Sequence, residues 1–431
     1  MRTWQNWAGN QAMSPAQVLH PSSTEQLAGA VKEAAAAGRR VKAIGSGHSF
    51  TGIGLTDGVL LQLDRYDRLL AADPGSGRVT VEAGLPLHRL NALLAEHGLG
   101  LTNMGDIDVQ TVSGAISTGT HGTGRASGSL AHQVVGLELV LADGSVVSCS
   151  RTERPELFAV ARVGLGALGV VSTVTLQAEP AFALHADERP MPLEEVLEGF
   201  EELVAANEHF EFYWFPHTRT ALTKRNNRTT ELSPLSRTRS WVDDELLSNK
   251  VFAATCRLGA AMPRVIPAVN RVASKALSAR TYSDVAPRVF TSPRRVRFCE
   301  MEYAVPRAEL PAVFRELSTL PERLGEHVSF PVEVRVAPAD DIALSTASGR
   351  DSAYIAVHVF RGTRYDRYFG AVEALMGAVA GRPHWGKLHN LGAAELGARY
   401  PRFEEFRAVR RAVDPEGVFR NAYLDQVLGP V

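Results

Sequence analysis

The first regular pattern in the chain is helical and covers residues 22–38. Its apolar positions recur at helical spacing, Ser23 stands at the N-cap with Gln26 following, and Gly38 ends the last turn. A short apolar run at residues 41–44 predicts a strand directly after this helix. The pattern therefore predicts that the chain opens with a helix and a strand that leads into a glycine-rich loop.

Further apolar runs and amphipathic stretches complete the first 180 residues. Strands are predicted at 58–63, 79–82, 134–142, 145–150 and 169–178, and helices at 87–97 and 153–163. Asp143-Gly144 lies between two of these strands and is a strong hairpin signal. Strands that alternate with helices and also pair as hairpins predict an α+β arrangement, with a domain boundary near residue 180.

From residue 181 onwards the pattern changes to longer strands separated by helices. Strands are predicted at 209–215, 297–305, 331–337 and 353–360, helices at 243–279, 307–319 and 365–380, and an exposed loop at the polar residues 224–239. This order is typical of an antiparallel sheet with helices on one face. We therefore predict a domain over residues 1–180, a second over 181–390, and a C-terminal segment, 391–431, that returns to the first domain.

Composition narrows the class of protein. The 431 residues are 45% hydrophobic and 22% charged, with a net charge of −1, so electrostatics gives no reason to expect nucleic acid or an anionic membrane as a partner. No apolar run reaches membrane-spanning length, and the N-terminus lacks the pattern of a secretory signal. Three widely separated cysteines and the absence of metal-type histidine spacing predict reduced thiols, a cytoplasmic location and no metal site.

Three segments of the first half combine glycine with small hydroxyl residues or with the start of a strand. They are Ile44-Gly45-Ser46-Gly47-His48-Ser49-Phe50, the run from Ser113 to Gly124, and the run from Gly164 to Val171. Glycine lets the backbone approach a bulky anionic ligand and leaves N–H donors free. The first segment lacks the third glycine of the dinucleotide fingerprint and alone is typical of an ordinary turn. Together the three predict a long, extended ligand that contains a pyrophosphate.

These motifs resemble those of the vanillyl-alcohol-oxidase family of flavoenzymes, and within it the sugar-lactone oxidases and the related alditol oxidases. The matching pieces are Gly-Ser-Gly-His-Ser at 45–49, Gly-Thr-His-Gly-Thr-Gly at 119–124, Leu-Gly-Ala-Leu-Gly-Val at 165–170 and the run 382–389. The resemblance spans nearly the whole chain and is weakest over residues 220–295. It implies an α+β, two-domain flavoprotein, in which a split FAD-binding domain of mixed subdomains carries a substrate cap domain of antiparallel sheet and helices.

The resemblance also implies which residues contact FAD. They are Gly45, Ser46, Gly47, His48, Ser49, Gly105, Ser113, Gly114, Ser117, Thr118, Gly119, His121, Gly122, Gly124, Gly169, Val171 and Asn421. Look-alikes with this turn bond the histidine matching His48 covalently to the 8α-methyl carbon of the flavin, so we expect that link here. The alternative is a histidine that only hydrogen-bonds within its loop. His121 is expected at most to contact the cofactor, and otherwise orders the glycine-rich loop.

An acid and a guanidinium lie two positions apart on the predicted strand 331–337. Glu333 and Arg335 therefore share one face, while Val332, Val334 and Val336 form a wholly apolar opposite face that must cover a core. A surface ion pair is the alternative and would contribute little to stability. In the resembling lactone and alditol oxidases the matching pair lines the pocket, which implies that Glu333 holds substrate hydroxyls and Arg335 lies over the reacting edge of the flavin.

Lys387 and His389 repeat this two-residue spacing in the C-terminal motif. A cation beside the flavin would stabilise its reduced form, and either side chain could accept the hydroxyl proton, so both are predicted to be catalytic. The resemblance assigns the cationic role to Lys387. A histidine at the position of His389 is a feature of the lactone oxidases. The alditol oxidases carry an apolar or small residue at the matching position, so His389 favours a lactone substrate.

Three further residues are predicted to contact the substrate. Asp106 stands where alditol oxidases have a substrate-binding serine, and Phe360 stands near the place of a threonine that contacts the polyol, so both differences argue against a polyol. His358 either joins them or is a satisfied core histidine on an apolar strand face. Gly105 matches a position near the flavin carbon that meets oxygen, and its small size favours an oxidase over a dehydrogenase.

We therefore predict an FAD-dependent enzyme that oxidises a secondary alcohol of a sugar 1,4-lactone and passes the electrons to oxygen, giving hydrogen peroxide. The alternatives are an alditol oxidase on the same scaffold, a lactone dehydrogenase with another electron acceptor, and a flavin-binding protein without catalysis. The last has least support, since binding alone does not need charged groups such as Glu333, Arg335 and Lys387 facing the ring.

Overall fold

The computed structural model describes residues 3–431 of the protein. The strands of the first part are Trp4–Gln5 (β1), Ala12–Met13 (β2), Gln17–Leu19 (β3), Val41–Ile44 (β4), Val59–Gln62 (β5), Leu69–Asp73 (β6), Arg78–Glu82 (β7), Leu99–Gly100 (β8), Val134–Val140 (β9), Val146–Ser150 (β10), Val170–Gln177 (β11) and Glu179–Pro180 (β12). Its α-helices are Thr24–Ala36 (α1), Leu87–Glu96 (α2), Val112–Thr118 (α3) and Pro155–Ala161 (α4).

The strands and helices predicted for this part are confirmed. Most of its strands form two sheets. A three-stranded parallel sheet has the order β3-β5-β4, and a five-stranded antiparallel sheet has the order β10-β9-β11-β7-β6. The predicted N-cap of α1 is present, because the Ser23 side chain accepts a hydrogen bond from the Gln26 amide. Asp143-Gly144 makes the turn between β9 and β10, as its hairpin signal predicts.

The second part is built on one large antiparallel sheet. Its strands are Ala183–Pro192 (β13), His209–Trp214 (β14), Thr220–Thr229 (β15), Arg280–Val285 (β16), Phe298–Pro306 (β17), Val332–Ala337 (β18), Ser352–Phe360 (β19) and Arg382–Pro383 (β20). They pair in the order β16-β13-β15-β14-β18-β19-β17-β20. The predicted antiparallel sheet is therefore confirmed, and its central strands β14, β18, β19 and β17 supply most of the charged residues described below.

Helices flank this sheet and form the C-terminus. They are Leu193–Glu198 (α5), Phe200–Ala205 (α6), Arg237–Ser240 (α7), Phe252–Ala261 (α8), Ile266–Ala276 (α9), Ala286–Phe290 (α10), Leu310–Leu324 (α11), Asp366–Ala378 (α12), Ala393–Gly397 (α13), Phe403–Val413 (α14) and Ala422–Leu428 (α15). A π-helical segment, Trp241–Val251, joins α7 to α8. No helix within residues 3–431 is both long enough and apolar enough to cross a lipid bilayer.

Two predictions for this part need correction. The polar stretch 224–239 is not wholly a loop, because residues up to Thr229 continue β15, where Arg225 pairs with Asp187 across the sheet. Charged cross-strand pairs thus replace the apolar alternation that would have indicated a strand. The predicted helix 243–279 is interrupted at Met262, because Pro263 disfavours a helical conformation in the residue before it.

The C-terminal segment contacts the first sheet of the chain. The Val41 amide donates to the Val418 carbonyl at 2.8 Å, and the buried Lys42 ammonium donates to the Phe419 carbonyl at 3.0 Å. The Asn421 side chain donates to the carbonyl oxygens of Gly52, Ile53 and Leu55 at 2.9–3.0 Å. Residues 391–431 are thus bonded to the strand and loop on either side of the glycine-rich turn, while the domain limits at 180 and 390 stay predictions.

Candidate active site

Two cavities meet at the glycine-rich turn that follows β4. The first cavity has a volume of about 1040 Å³, including its opening to solvent. It lies between this turn, helix α3 and the loop before β11. The second encloses about 1490 Å³ and lies between the turn and the large sheet. His48, Ser49, Gln110 and Thr118 line both cavities. A ligand that fills the first cavity therefore reaches the second at His48.

Backbone and small side chains form much of the wall of the first cavity. Of the residues predicted to contact a cofactor, it is lined by Gly45, Ser46, Gly47, His48, Ser49, Ser113, Gly114, Ser117, Thr118, Gly169 and Val171. A Cβ atom at Gly45 would lie 2.2 Å from the Thr111 hydroxyl oxygen, and Gly47 has a φ of +70°, so neither position tolerates a side chain without rearrangement. The predicted clustering of the three glycine-rich segments is thus present in the fold.

His48 lies between the two cavities and is held by the N-terminal segment. The Trp7 indole stacks on its imidazole with centroids 5.3 Å apart, and the Trp7 amide donates to the Gly47 carbonyl at 2.8 Å. Burial, reinforced by the positive charge of Lys387, lowers the pKa of His48 to about 4. The imidazole is therefore neutral at physiological pH, with a nitrogen lone pair free to act as a nucleophile.

Glu333 and Arg335 line the second cavity from β18. Val332, Val334 and Val336 are each no more than 1% exposed and join the core on the opposite side of the sheet, so the predicted alternation is correct. The Arg335 guanidinium forms ion pairs with Asp106, Glu211 and Glu333. Strand pairing and one loop thus bring three carboxylates around a single buried cation.

These three acids form the only group of potential metal ligands found within residues 3–431. Their oxygens already surround the Arg335 guanidinium, which supplies the positive charge that a metal ion would otherwise bring. Arg294 reaches the same cluster from the segment before β17 and donates to Asp106 at 2.6 Å. The cluster is therefore a network of ion pairs between three carboxylates and two arginines.

Glu333 has an unusual acidity. Burial, together with the nearby Glu211 carboxylate, raises its pKa to about 8, and the Tyr213 hydroxyl donates to it at 3.0 Å. A carboxyl group with a pKa close to neutral can accept or release a proton under physiological conditions. Glu333 is therefore the group of this cluster best suited to proton exchange with a bound molecule.

Lys387 also lines the second cavity and is paired with two acids from β17. Its ammonium forms an ion pair with Glu300, lies 3.8 Å from Glu302, and is 5.4 Å from the centre of the Phe50 ring. Burial alone would raise the pKa of Glu300, but the charges of Lys387 and His358 lower this pKa to about 2. The acid therefore stays ionised and fixes the ammonium beside the point at which the cavities meet.

His121 and His358 also face the second cavity, together with Gly105 and Asp106. His121 is buried, forms a hydrogen bond to Glu302 and stacks on Tyr354 with centroids 3.6 Å apart. His358 lies 3.5 Å from Glu300, at the edge of an aromatic group that contains Phe298 and Phe330. Neither histidine is a core residue surrounded only by apolar side chains, and both hold one of the acids next to Lys387.

The structure does not place His389 with these residues. Strand β20 ends at Pro383, and the chain then turns, with the Lys387 amide bonded to the His384 carbonyl at 2.9 Å. The two-residue spacing of Lys387 and His389 therefore does not place both side chains on one face, because the chain is not extended here. His389 instead hydrogen-bonds the Tyr423 hydroxyl at 2.9 Å near α15, so the predicted catalytic role in the second cavity needs correction.

Five other predicted contacts lie outside both cavities. Phe360 packs beside Cys256, Val296 and Phe330 at the end of β19, where Phe298 and Phe330 rather than Phe360 line the second cavity. The Asn421 side chain donates to backbone carbonyl oxygens and accepts the N-cap hydrogen bond of α15, so its polar atoms already have partners. The remaining three are Gly119, Gly122 and Gly124. Gly119 ends α3 in the left-handed conformation, and the Gly124 amide donates to the Val336 carbonyl at 2.9 Å, so these glycines shape the loop.

Comparison with known proteins agrees with this geometry. Residues 15–150 match the family model of an FAD-binding domain, and residues 174–427 match that of D-arabinono-1,4-lactone oxidase. The chain belongs to the D-arabinono-1,4-lactone oxidase family. This membership confirms the resemblance found in the sequence motifs and the predicted class of FAD-dependent oxidoreductase.

Members of the family with curated names match over nearly their full length. An L-gulono-1,4-lactone dehydrogenase of Mycobacterium tuberculosis is 43% identical, with 99% of each chain covered. An L-gulonolactone oxidase of Bos taurus is 35% identical, with 98% of each chain covered. Among solved structures, a solvent-stable cholesterol oxidase superposes with a TM-score of 0.83 at 21% identity, over 99% of this chain and 97% of the other. At that identity the superposition supports the fold alone.

The second cavity also contains residues that the sequence patterns did not single out. Glu300 and Glu302 project from β17 on the same face, and Tyr213 projects from β14 towards Glu333. The signal for the two acids was present, because they alternate with Cys299, Met301 and Tyr303 on an otherwise apolar strand. Strand alternation could not indicate Arg294, because it lies outside the helices and strands. Its basic segment is typical of a solvent-exposed surface.

Proposed function

We propose that this protein oxidises a secondary alcohol of a sugar 1,4-lactone, L-gulono-1,4-lactone or a close relative, using FAD. The observation that supports this best is the junction at His48, which joins a long cavity with glycine-rich walls to a cavity lined by acids and cations. A neutral, hydroxyl-rich lactone needs acceptors for its hydroxyl protons and a donor for its ring carbonyl. Glu333 and Arg335 supply one of each.

FAD fits the first cavity because no backbone amide of residues 45–49 donates a hydrogen bond within the described residues, so these amides are available to a ligand. The tight approach of Gly45 to Thr111 and the left-handed Gly47 remove side-chain bulk where a pyrophosphate would lie. The neutral imidazole of His48, held by Trp7, is the group proposed to form the covalent bond to the flavin. When bound, the flavin accepts a hydride from the carbinol carbon of the substrate and passes the electrons to an acceptor.

The residues of the second cavity have separate proposed roles. Glu333 accepts a hydrogen bond from the reacting hydroxyl and takes its proton, so that loss of hydride and proton together converts the alcohol to a carbonyl. Arg335 fixes Glu333 and binds the lactone oxygens. Lys387, held by Glu300 and Glu302, supplies positive charge beside His48, where the ring system gains electrons.

We infer that oxygen is the acceptor, although the names of the relatives include both an oxidase and a dehydrogenase. Gly105 lines the second cavity, and a Cβ atom there would lie 3.2 Å from the His121 carbonyl oxygen and 3.3 Å from a Thr120 methyl group. Glycine therefore fits against this loop at the cavity wall, where any larger residue would have to move residues 120–121.

The proposal is tested by mixing the purified yellow protein anaerobically with L-gulono-1,4-lactone and, separately, with xylitol, and then admitting air. Bleaching of the flavin absorbance by the lactone alone, followed by rapid recovery in air, is the expected result. Bleaching by xylitol alone would assign the site to polyols. A flavin that stays reduced in air would keep the lactone and exclude oxygen as the acceptor.

A further inference from the structure

Lys42 is a buried cation on β4, the strand that leads into the glycine-rich turn. It is only 3% exposed, and its ammonium donates to the carbonyl oxygens of Gly166 and Phe419, each at 3.0 Å. It forms no ion pair with any carboxylate of residues 3–431. A buried ammonium ordinarily pairs with an anion, because the loss of its hydration is costly. The mechanism proposed above gives this charge no role.

The charged groups packed around Lys42 do not supply the missing anion. The Asp414 carboxylate is fully buried, but it accepts two backbone amides of the turn that follows it, at 2.7 and 2.9 Å. Asp425 pairs with Arg420 at 2.8 Å. Arg410 is also buried and adds a second positive charge. Burial lowers the pKa of Lys42 to about 7, and the charge of Arg410 acts in the same direction. Positive charge is therefore in excess at this point of the core.

Lys42 lines the first cavity, and so do Gly166 and Phe419, the two residues that hold its ammonium. None of the three lines the second cavity, whereas His48 lines both. Successive residues of a strand are about 3.3 Å apart, so the backbone of Lys42 lies about 10 Å before Gly45 and the glycine-rich turn. Lys42 therefore lies in the part of the first cavity that is remote from His48.

We propose that Lys42 binds the AMP half of FAD. This inference rests on the proposed function, in which FAD fills the first cavity and its flavin is bonded to His48. The AMP half is then the part of FAD that remains for the opposite end of the cavity. It carries a phosphate and the ring nitrogens of adenine, all of which accept hydrogen bonds. Two of the three ammonium donors are used by carbonyl oxygens, which leaves one N–H of Lys42 for the ligand.

The test compares reversible binding of FAD with that of FMN, which lacks the AMP half. His48→Ala provides the background, because it cannot form the covalent link, and quenching of flavin fluorescence during titration of its apoprotein gives both dissociation constants. Adding Lys42→Gln keeps N–H donors for the two carbonyl oxygens but removes the charge. We expect FAD to bind about tenfold or more weakly, since a charge-assisted hydrogen bond is lost, whereas FMN should bind as before.

The pH dependence of FAD affinity is a second readout, which a lysine that only ties two loops together would not produce. The pKa of Lys42 is about 7 before the cofactor binds, and only the ammonium form attracts a phosphate. Affinity for FAD in His48→Ala should therefore be highest below pH 7 and fall by up to about tenfold per pH unit above it. Arg410, Asp414 and Asp425 are the other charged groups that act on Lys42. Lys42→Gln leaves them in place and should abolish the fall.

The matched control is Lys224→Gln in the same background. Lys224 also donates to a backbone carbonyl oxygen, that of Val289 at 3.0 Å, but lines neither cavity, so FAD affinity should be unchanged. Thermal unfolding of each apoprotein checks that it is folded. Unchanged FAD affinity in Lys42→Gln, or equal weakening of FAD and FMN, would overturn the inference and leave lactone oxidation standing. A folded His48→Ala protein that binds no FAD would instead contradict the placement of FAD, and with it the proposed function.

Discussion

The indole ring of Trp7 stacks on the imidazole ring of His48, with centroids 5.3 Å apart and an angle of 23° between the planes. This contact connects the N-terminal segment to the residue proposed to bind the flavin covalently. The same indole meets the rings of Phe50 and Phe298 edge-on, which fixes its own orientation. The imidazole is thus held from one side by an aromatic wall.

We predict that Trp7→Ala slows covalent attachment of the flavin. An aromatic pair contributes about 0.5–1.5 kcal/mol, so the expected slowing is about two- to tenfold if the stacking acts in the reacting geometry. Flavin fluorescence of the acid-precipitated protein, followed over time after FAD is added to the apoprotein, measures the rate. Trp7→Phe should attach flavin nearly normally, His48→Ala should retain no covalent flavin, and Trp241→Ala serves as a control distant from His48.

Covalent attachment should also depend on pH in a defined direction. Because burial and the charge of Lys387 lower the pKa of His48 to about 4, its imidazole is neutral, and therefore nucleophilic, at every pH above that value. The attachment rate should change little between about pH 6 and 8 and fall as the pH approaches 4. A rate that instead rises through pH 6.5, the value of an exposed histidine, would show that His48 is not held as described.

The pH dependence of substrate oxidation should reflect Glu333. Its pKa is raised to about 8 by burial and by Glu211, so the ionised form that pairs with Arg335 gains population as the pH rises through 8. Arg335, Asp106, Tyr213 and Arg294 complete the charged surroundings of this group. If ionised Glu333 accepts the hydroxyl proton, anaerobic flavin reduction by the lactone should rise by up to about tenfold per pH unit below pH 8 and level off above it.

Glu333→Gln should remove this inflection, because the amide does not titrate. The remaining slow reduction should then be nearly independent of pH from about 6 to 9. A persistent rise near pH 8 in the variant would assign the proton acceptor to another group, with Lys387 as the next residue to test.

Much of this site could be predicted from sequence because it depends on local patterns. The Glu333-x-Arg335 alternation predicts side chains on one face of β18, and the fold needs only to place that face over a cavity. The turn at residues 45–49 is likewise local. His389 was misplaced because its two-residue spacing from Lys387 was taken to bring both side chains to one site, whereas β20 ends at Pro383 and the chain then turns. Sequence spacing cannot reveal a turn that long-range contacts with α15 stabilise.

The polar residues of β15 illustrate the second limit. Lys224 and Arg225 pair with Glu211 and Asp187 on the neighbouring strands, so the first part of a stretch that looks like a loop lies in an interior strand. The pairing partners lie more than ten residues away, and no single-segment pattern contains them. The charged cluster around Arg335 was only half predicted for the same reason, since Glu211 and Tyr213 come from β14.

Gly105 should control the reaction with oxygen. In Gly105→Ala the added methyl group would lie 3.2 Å from the His121 carbonyl oxygen and would have to displace that part of the wall of the second cavity. We expect reoxidation of the reduced enzyme by air to slow by about tenfold or more, equivalent to about 1.4 kcal/mol, while anaerobic reduction by the lactone changes less. Stopped-flow absorbance separates the two half-reactions. Gly29→Ala, on the outer face of α1 where nothing lies within 4 Å, is the matched control.

Asn421 should matter for stability rather than for cofactor contact. Its side chain donates to three carbonyl oxygens on the 52–55 segment and accepts from the Leu424 amide as the N-cap of α15. Asn421→Ala leaves buried carbonyls unsatisfied, so the free energy of unfolding should fall by about 2–4 kcal/mol. Denaturant unfolding measures this loss. Asn390→Ala, which removes one exposed side-chain hydrogen bond to Glu373, should change stability much less, and equal losses would contradict the assigned role.

The central claim, that the charged cavity beside His48 oxidises the lactone, is tested most directly by the rate of anaerobic flavin reduction in Glu333→Ala. Glu188→Ala is the matched control, because Glu188 is also a buried glutamate of the large sheet, paired with Arg280 but outside both cavities. We predict that L-gulono-1,4-lactone reduces the flavin of the control at nearly the normal rate. Reduction in Glu333→Ala should be almost abolished although FAD remains bound. An unaffected rate in Glu333→Ala would remove Glu333 from the site and contradict the proposed chemistry.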